Sequence, residues 1–177
     1  MLENKIDFMV TIEVREANAN GDPLSGNMPR TDAKGHGLIS DVAIKRKIRN
    51  RMQDFGHPTF VQAGDRIEDE FRSLEKRFSN QFNAKDSDED IEEKANKLWL
   101  DVRSFGQVFT YLKKSIGVRG PVSINMAKSL EPIVISSLQI TRSTNGMEAK
   151  NESGRSSDTM GMKYFVDYGV YLLKGSI

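Results

Sequence analysis

The chain has 177 residues, of which 37% are hydrophobic, and this suits one domain with a modest core. It contains no cysteine, which excludes disulfides and thiolate metal sites and fits a reducing cytoplasm. No apolar run approaches the length of a membrane span, and the N-terminal stretch lacks the pattern of a signal peptide. We therefore expect a cytoplasmic protein with no membrane partner.

The net charge of +1 conceals two segments of opposite sign. Residues 65–94 hold eleven acidic and six basic side chains, a net charge of −5, which leaves +6 on the rest of the chain. An acidic run is most often a solvated surface. A basic surface of this size indicates a polyanionic partner.

A strand, a loop and a helix are predicted in succession near the N-terminus. Apolar and polar residues alternate from Asn4 to Arg15, which predicts a strand with one buried face. The glycine, asparagine and proline residues of 18–37 predict a loop that exposes backbone amides. Ser40 is a suitable N-cap, and a helix should run from there to about Phe55, with Gly56 ending it.

The predicted helix is strongly basic. Its apolar stripe consists of Ile44, Ile48, Met52 and Phe55. Its five cations are Lys45, Arg46, Lys47, Arg49 and Arg51. One shoulder of the stripe holds Lys45 and Arg49. The other shoulder holds Lys47 and Arg51, and Arg46 faces away from the core. Because like charges at this spacing repel, we expect the helix to present cations at both shoulders to a polyanion.

The later elements are predicted from shorter patterns. Two helices are predicted between Ile67 and Val102, on either side of the acidic linker 84–94. Four further strands are predicted, at 103–112, 118–126, 131–141 and 164–177. The polar segment 142–163 would join the last two strands as a protruding hairpin or loop.

Enzyme signatures are largely missing. The sequence has no glycine-rich nucleotide-phosphate motif and no Gly-x-Ser-x-Gly nucleophile motif. His36 and His57 lie in turns rich in glycine and proline, and we expect both to be surface residues. Asp22 and Asp32 flank the glycine-rich loop and could hold Mg²⁺ beside a phosphate, although turn capping is the commoner role of aspartate there. We expect no cofactor.

Signals for binding are stronger than signals for catalysis. A second set of cations lies at turns: Arg103, Arg119, Arg142, Arg155 and Lys163. Met160 and Met162 stand out in a polar stretch, where a methionine can wedge between stacked bases or dock into a neighbouring protein subunit. The sequence leaves both roles open. The standard aromatic signature of an RRM is missing, so base stacking of that kind on the sheet is not indicated.

The chain resembles a known family in six successive motifs. They are NANGDPLSGNMPRTD, ISDVAIKRKIRNR, DVRSFGQVF, GVRGPVSI, ITRS and RSSDTMGMKYFVDYGVY. They are similar, in the same order, to those of the repeated backbone subunit of the type I-C CRISPR surveillance complex (Cascade), a member of the RAMP superfamily. The first motif is the most specific, and the acidic segment 65–94 matches least.

The resemblance implies an α+β fold, with a single domain (1–177) built on a modified RRM-like, ferredoxin-like palm. It implies a helical insertion at 57–102, similar to a finger or web, and a thumb-like hairpin or loop at 142–163. That fold normally continues with a second helix and a last strand, so the chain looks truncated at its C-terminus. We therefore expect an exposed sheet edge that favours association.

The resemblance also implies a role in antiviral defence. Copies of the subunit would polymerise along a CRISPR RNA guide and hold it for pairing with a target DNA strand. Expected partners are the guide, the target strand, neighbouring copies, the large subunit, the repeat-processing subunit and a recruited helicase-nuclease. We expect no enzymatic activity and no bound metal.

Candidate contact residues follow from the motifs and the resemblance together. Expected RNA contacts are Asn20, Gly21, Gly26, Asn27, Arg30, Lys45, Arg46, Lys47, Arg49, Arg51, Arg119, Arg142, Arg155 and Lys163, with a base wedge at Met160 or Met162. One alternative is a metal-dependent ribonuclease that uses Asp22 or Asp32, as type III backbone subunits do. Another is a structural protein whose basic helix binds an acidic partner, such as residues 86–93 of a neighbouring copy.

Overall fold

The computed structural model describes residues 3–141 and 160–177, which divide into two compact units. Unit 1 consists of residues 3–9, Asp41–Asn125 and Lys174–Ile177. Unit 2 consists of Val10–Ser40 and the described residues of Met126–Leu173. No helix within the described residues is long and apolar enough to cross a membrane.

The described residues form a mixed α+β fold, as expected. The helices are α1 (Asp41–Asp54), α2 (Leu74–Ser79), α3 (Asp88–Leu98) and α4 (Leu100–Phe105), with a short 3₁₀ helix at Pro23–Ser25. The strands are β1 (Asp7–Ala17), β2 (Gly21–Asp22), β3 (Met28–Pro29), β4 (His36–Ile39), β5 (Gly106–Phe109), β6 (Ile116–Arg119), β7 (Ser123–Ile124), β8 (Ala127–Pro132), β9 (Ile135–Thr141) and β10 (Met160–Ser176).

One six-stranded sheet is organised around β10. The path through it is β1-β10-β8-β4, and β7 and β9 also pair with β10. The pairings of β10 with β7, β8 and β9, and of β4 with β8, are antiparallel. Two smaller antiparallel pairs, β2–β3 and β5–β6, lie apart from this sheet.

Unit 1 has an aromatic core to which the acidic segment 65–94 contributes Phe78, Phe82 and Ile91. Phe60, Phe78, Trp99 and Phe109 are almost fully buried, and the ring centroids of Phe60 and Trp99 are 4.7 Å apart. Helix α3 packs against this cluster through Ile91 and Ala95, while its acidic side chains stay exposed. The acidic side chains of the segment are therefore solvated at the surface, and the residues beneath them form a well-packed core.

The β5–β6 hairpin turns through two residues in the left-handed region. Leu112 has a φ of 55° and Lys113 a φ of 60°, and the amide of Lys114 donates to the carbonyl of Tyr111 at 3.0 Å. This is the geometry of a type I′ turn, which glycine and asparagine favour and other residues disfavour. Packing holds the turn in place, because Leu112 and Tyr111 lie against the aromatic cluster.

Unit 2 places the glycine-rich loop beside the sheet. Its core includes Val14, Ile39, Val166 and Tyr171, all less than one-twentieth exposed. The close approach of the loop requires glycine at position 37, since a methyl group there would lie 2.2 Å from the Tyr171 hydroxyl. The loop itself contains the β2–β3 pair and the 3₁₀ helix, so it is more regular than the sequence indicated.

The predicted ends of the basic helix are confirmed. Helix α1 spans Asp41–Asp54, and Gly56, with a φ of 76°, closes it by donating to the carbonyl of Gln53 at 2.8 Å. Two details of the predicted stripe are wrong. Phe55 lies beyond the helix and is exposed, whereas Gln53 is buried.

The predictions for 67–112 differ from the structure in three respects. The acidic linker is not a separate linker, because Ser87 caps α3 and the acidic residues form its first turns. Trp99 then interrupts the helix with an extended backbone, so Val102 belongs to α4. Helix α4 also occupies the start of the strand predicted at 103–112, and strand β5 begins only at Gly106.

Candidate nucleic-acid interface

The glycine-rich loop of unit 2 encloses a cavity of about 620 Å³. Its polar lining comes from Asn20, Asp22, Ser25, Arg30, Thr31 and Ser40. Gly21 allows the tight β2–β3 pairing, since a methyl group there would lie 2.0 Å from Oδ1 of Asn27. Asn27 itself takes a left-handed backbone with a φ of 62°, which asparagine tolerates better than most residues. Of the predicted loop contacts, Asn20 and Arg30 therefore line the cavity, while Gly21 shapes the loop.

The loop does not offer the unhindered amides that the sequence indicated. The amide of Leu24 donates to Oδ1 of Asp22, and the amides of Asn27 and Arg30 donate to carbonyls within the loop. Oδ1 of Asn20 accepts from the amide of Ser40 at 2.9 Å. At these positions an anion would meet side chains rather than backbone amides, and Arg30 is the cation that lines the cavity.

Both loop aspartates cap turns and pair with cations. Asp22 accepts from the guanidinium of Arg30 at 3.3 Å. Asp32 accepts from the amides of Lys34 and His36, and its Oδ2 lies 2.7 Å from Nζ of Lys128. This hydrogen bond to Lys128 is the main reason that the pKa of Asp32 falls to about 2. Turn capping, the commoner of the two predicted roles, is confirmed for both residues.

No metal cluster is formed by these aspartates. Within the described ranges, 3–141 and 160–177, there is no group of three or more histidine and carboxylate side chains arranged to hold a metal ion. Asp22 and Asp32 are each held by a basic side chain instead.

The two shoulders of α1 have different surroundings, contrary to expectation. On one shoulder, Arg49 is only 11% exposed and its Nε donates to Oδ2 of Asp101 at 2.9 Å. Lys45 on the same shoulder pairs with Asp41 at 3.2 Å, and both cations lie over the ring of Phe105. This shoulder is thus engaged with unit 1 itself.

Asp101 explains why Arg49 is there. It is fully buried, and besides Arg49 it accepts from the amides of Phe60 at 2.7 Å and Val61 at 3.1 Å. A buried carboxylate without such partners would be very costly. Arg49 therefore compensates a charge in the core, and its position in a basic run is no evidence of an RNA contact.

Arg46, which was expected to face away from the core, is covered by the loop that follows α1. Its guanidinium donates to the carbonyl of Val61 and to Oδ1 of Asn50, the latter at 3.3 Å. Burial lowers the pKa of Arg46, and the positive charge of Arg49 adds to this effect. The helical wheel missed this contact because the loop after α1 folds back over that face.

The other shoulder is open to solvent. Lys47 is exposed, and no ion-pair partner for it occurs within the described part of the chain. Arg51, one turn further on, is 67% exposed and makes a long contact of 3.4 Å with Asp54. Residues four apart on a helix are neighbours, so these two cations form one exposed pair. We call it the Lys47/Arg51 face.

The remaining predicted contacts are spread over both units. Arg119 is exposed on β6 in unit 1. In unit 2, Met160, Met162 and Lys163 are exposed on β10, while Gly26 caps the 3₁₀ helix at the loop tip. Two predicted contacts, Arg142 and Arg155, lie outside the described residues. The sequence analysis did not identify Lys128, because no nearby residue in the sequence indicates its ion pair with Asp32.

Comparison with known proteins identifies the family. A family model described as CRISPR-associated protein Cas7 matches residues 4–177, nearly the whole sequence. The chain belongs to the Cas7 family. A curated Cas7 relative, the CRISPR-associated protein Cas7 of Haloferax volcanii, is 28% identical over 115 residues. That match covers 61% of this chain and 33% of the relative, so the chain spans about a third of the length of this Cas7 protein.

A solved structure agrees with the Cas7 assignment at the level of the fold. A chain of a CRISPR RNA-guided surveillance complex, pre-nicking, superposes with a TM-score of 0.58 at 16% identity. The match covers 98% of this chain and 61% of the other. At this identity the similarity shows a shared fold and no more, and it agrees with an RRM-like palm.

Proposed function

We propose that this Cas7-family chain is a non-catalytic backbone subunit that binds a CRISPR RNA guide in a type I-C surveillance complex. The observation that carries the proposal is the family match across residues 4–177. Copies of the chain would polymerise along the guide in the cytoplasm and hold it for pairing with a target DNA strand. The large subunit, the repeat-processing subunit and a recruited helicase-nuclease would complete the machinery.

The charge distribution of unit 1 supports a contact with a polyanion. Three of the five cations on α1 (Lys45, Arg46 and Arg49) have partners within the protein, and these contacts account for their positions. The position of Lys47 is not explained in this way, and Arg51 makes only a long, exposed contact with Asp54 and a contact with the exposed ring of Phe55. Two neighbouring exposed cations on a rigid helix are suited to the phosphates of a strand. In our proposal the Lys47/Arg51 face contributes phosphate contacts, and Lys45 and Arg49 mainly hold the helix.

A backbone subunit must accept guides of any sequence. Contacts to phosphates carry no sequence information, whereas contacts to base edges do. Cations such as Lys47, Arg51, Arg119 and Lys163 can neutralise phosphates whatever the bases are. The thumb-like segment 142–163, with its methionines, would interrupt the bound guide RNA by displacing one of its bases.

The test is the salt dependence of RNA binding. We expect Lys47→Ala together with Arg51→Ala to weaken binding of single-stranded RNAs of different sequence by the same factor. The slope of log affinity against log salt should flatten by about 0.7 for each phosphate that the protein no longer neutralises. Fluorescence anisotropy over a salt series measures both quantities.

A matched control removes a lysine from the acidic side of unit 1. Lys97 is 73% exposed and pairs with Glu93 on α3, so Lys97→Ala changes the net charge without touching α1. We expect this variant to keep the parental slope. An unchanged slope in the double variant would contradict the role of the Lys47/Arg51 face. Assembly of the parent in the absence of RNA, with no RNA affinity, would instead favour a structural protein that docks on an acidic neighbour.

A further inference from the structure

The β9–β10 hairpin of unit 2 places three large side chains in a row. Its register pairs Met160 with Thr141, Met162 with Gln139, and Tyr164 with Ser137. Alternate residues of a strand point to the same face, and directly paired residues share a face. Met160, Met162 and Tyr164 therefore line one face of β10, with the smaller polar side chains of β9 opposite them.

The spacing within this row suits a nucleobase. Residues two apart in a strand are about 6.8 Å apart along it. Stacked bases are separated by about 3.4 Å, so a single base with a neighbour on each side needs about twice that distance. Tyr164 and Met162 are two residues apart on β10, so the rise of the strand between them allows for one base. This spacing would place an aromatic ring on one side of a base and a thioether on the other.

The side chains around this pair leave Met162 exposed and place Tyr164 against the loop. The amide nitrogen of Gln139 lies 2.8 Å from Sδ of Met160, which draws the Gln139 side chain toward Met160 and away from Tyr164. Ser137, opposite Tyr164, is small. Tyr164 is half-buried against the loop tip, where a methyl group on Gly26 would lie 3.7 Å from its Cε2. Met162 stays 51% exposed.

We propose that Tyr164 and Met162 form a slot that holds one base of a single-stranded RNA, stacked on the Tyr164 ring. The slot rests on the proposed function, because it needs an RNA on this side of unit 2. Aromatic stacking accepts every base, and the Ser137 hydroxyl can either donate to or accept from a base edge. The slot is thus independent of sequence, as a guide-binding subunit requires. It assigns the wedge to Met162, whereas Met160 is engaged by Gln139.

The experiment uses the full chain and a single-stranded RNA of about 12 nucleotides with 2-aminopurine at each position in turn. We expect the parent to quench the fluorescence of a base that enters the slot. Tyr164→Phe keeps the ring and should keep the quenching. Tyr164→Leu removes the ring but keeps apolar bulk against the loop, and it should abolish the quenching and weaken binding by about 5-fold to 100-fold. Met162→Ala should reduce the quenching as well.

Leu138→Ala is the matched control. Leu138 pairs with Lys163 on the opposite face of the same hairpin and is 56% exposed, close to the exposure of Met162. We expect this variant to bind and quench like the parent. If the parent binds RNA but Tyr164→Leu quenches and binds equally well, the slot is refuted and the proposed function stands. If the parent binds no RNA at any salt concentration, both proposals are refuted.

Discussion

Replacing Arg49 by alanine should destabilise unit 1 by about 3–5 kcal/mol, because it leaves a buried carboxylate without its cation. Asp101 is fully buried and Arg49 is 11% exposed, so the guanidinium is the charge that compensates Asp101 at this depth. The amides of Phe60 and Val61 still donate to Asp101, but two neutral donors do not cancel a full charge in the core. The expected loss is a large part of the stability of an ordinary domain.

Urea unfolding followed by tryptophan fluorescence measures this loss directly. The chain has one tryptophan, Trp99, and it is buried in the aromatic cluster of unit 1. The control is Lys47→Ala, which removes an exposed cation from the same helix and should change the free energy of unfolding by less than about 0.5 kcal/mol. A second variant, Asp101→Asn in the Arg49→Ala background, should recover part of the loss because it removes the uncompensated charge. The reasoning fails if Arg49→Ala is as stable as Lys47→Ala.

Two further outcomes concern the glycine-rich loop. Because Lys128 holds the pKa of Asp32 at about 2, below its ordinary value of 3.8, the stabilising contribution of Asp32 is present above about pH 4 and is lost as the pH falls toward 2. The melting temperature of the parent should therefore fall more steeply over this range than that of Asp32→Asn, and parallel curves would exclude the effect. Gly21→Ala would force a methyl group to within 2.0 Å of Oδ1 of Asn27, and calorimetry should show a loss of about 1–3 kcal/mol. Gly64→Ala, which meets no atom within 4 Å, should be nearly neutral, and equal effects of the two changes would refute the explanation.

Elements with strong local signals were predictable from the sequence. The alternation of the first strand and the Gly56 stop of α1 are both encoded within a few residues, and both were predicted close to their observed places. The break at Trp99 was not predictable, because an apolar pattern continues through it. At the break Trp99 packs against Phe60 and the amide of Leu100 donates to the carbonyl of Pro58, and both partners are distant in sequence.

Prediction of the candidate site from local sequence patterns is limited in the same way. A helical wheel predicts which residues share a shoulder of α1, but it cannot show which shoulder meets the rest of the protein. The partner of Arg49 lies 52 residues away, and nothing near position 49 indicates a buried carboxylate. A cluster of cations in a sequence can therefore contain two kinds of residue. Some pair with acidic groups of the protein itself, and others remain available to bind a ligand.

The left-handed turn at Leu112 and Lys113 bears on how unit 1 folds. A hairpin closed by Asn-Gly gains stability from the turn itself and can form early, on its own. The β5–β6 hairpin has no such help, since each of its two turn residues is strained by roughly 1–2 kcal/mol. Its closure depends on a place for Leu112 and Tyr111 against Phe78 and Phe109. We therefore expect the hairpin to form late, after collapse around the aromatic rings, and not to be the nucleus from which they assemble.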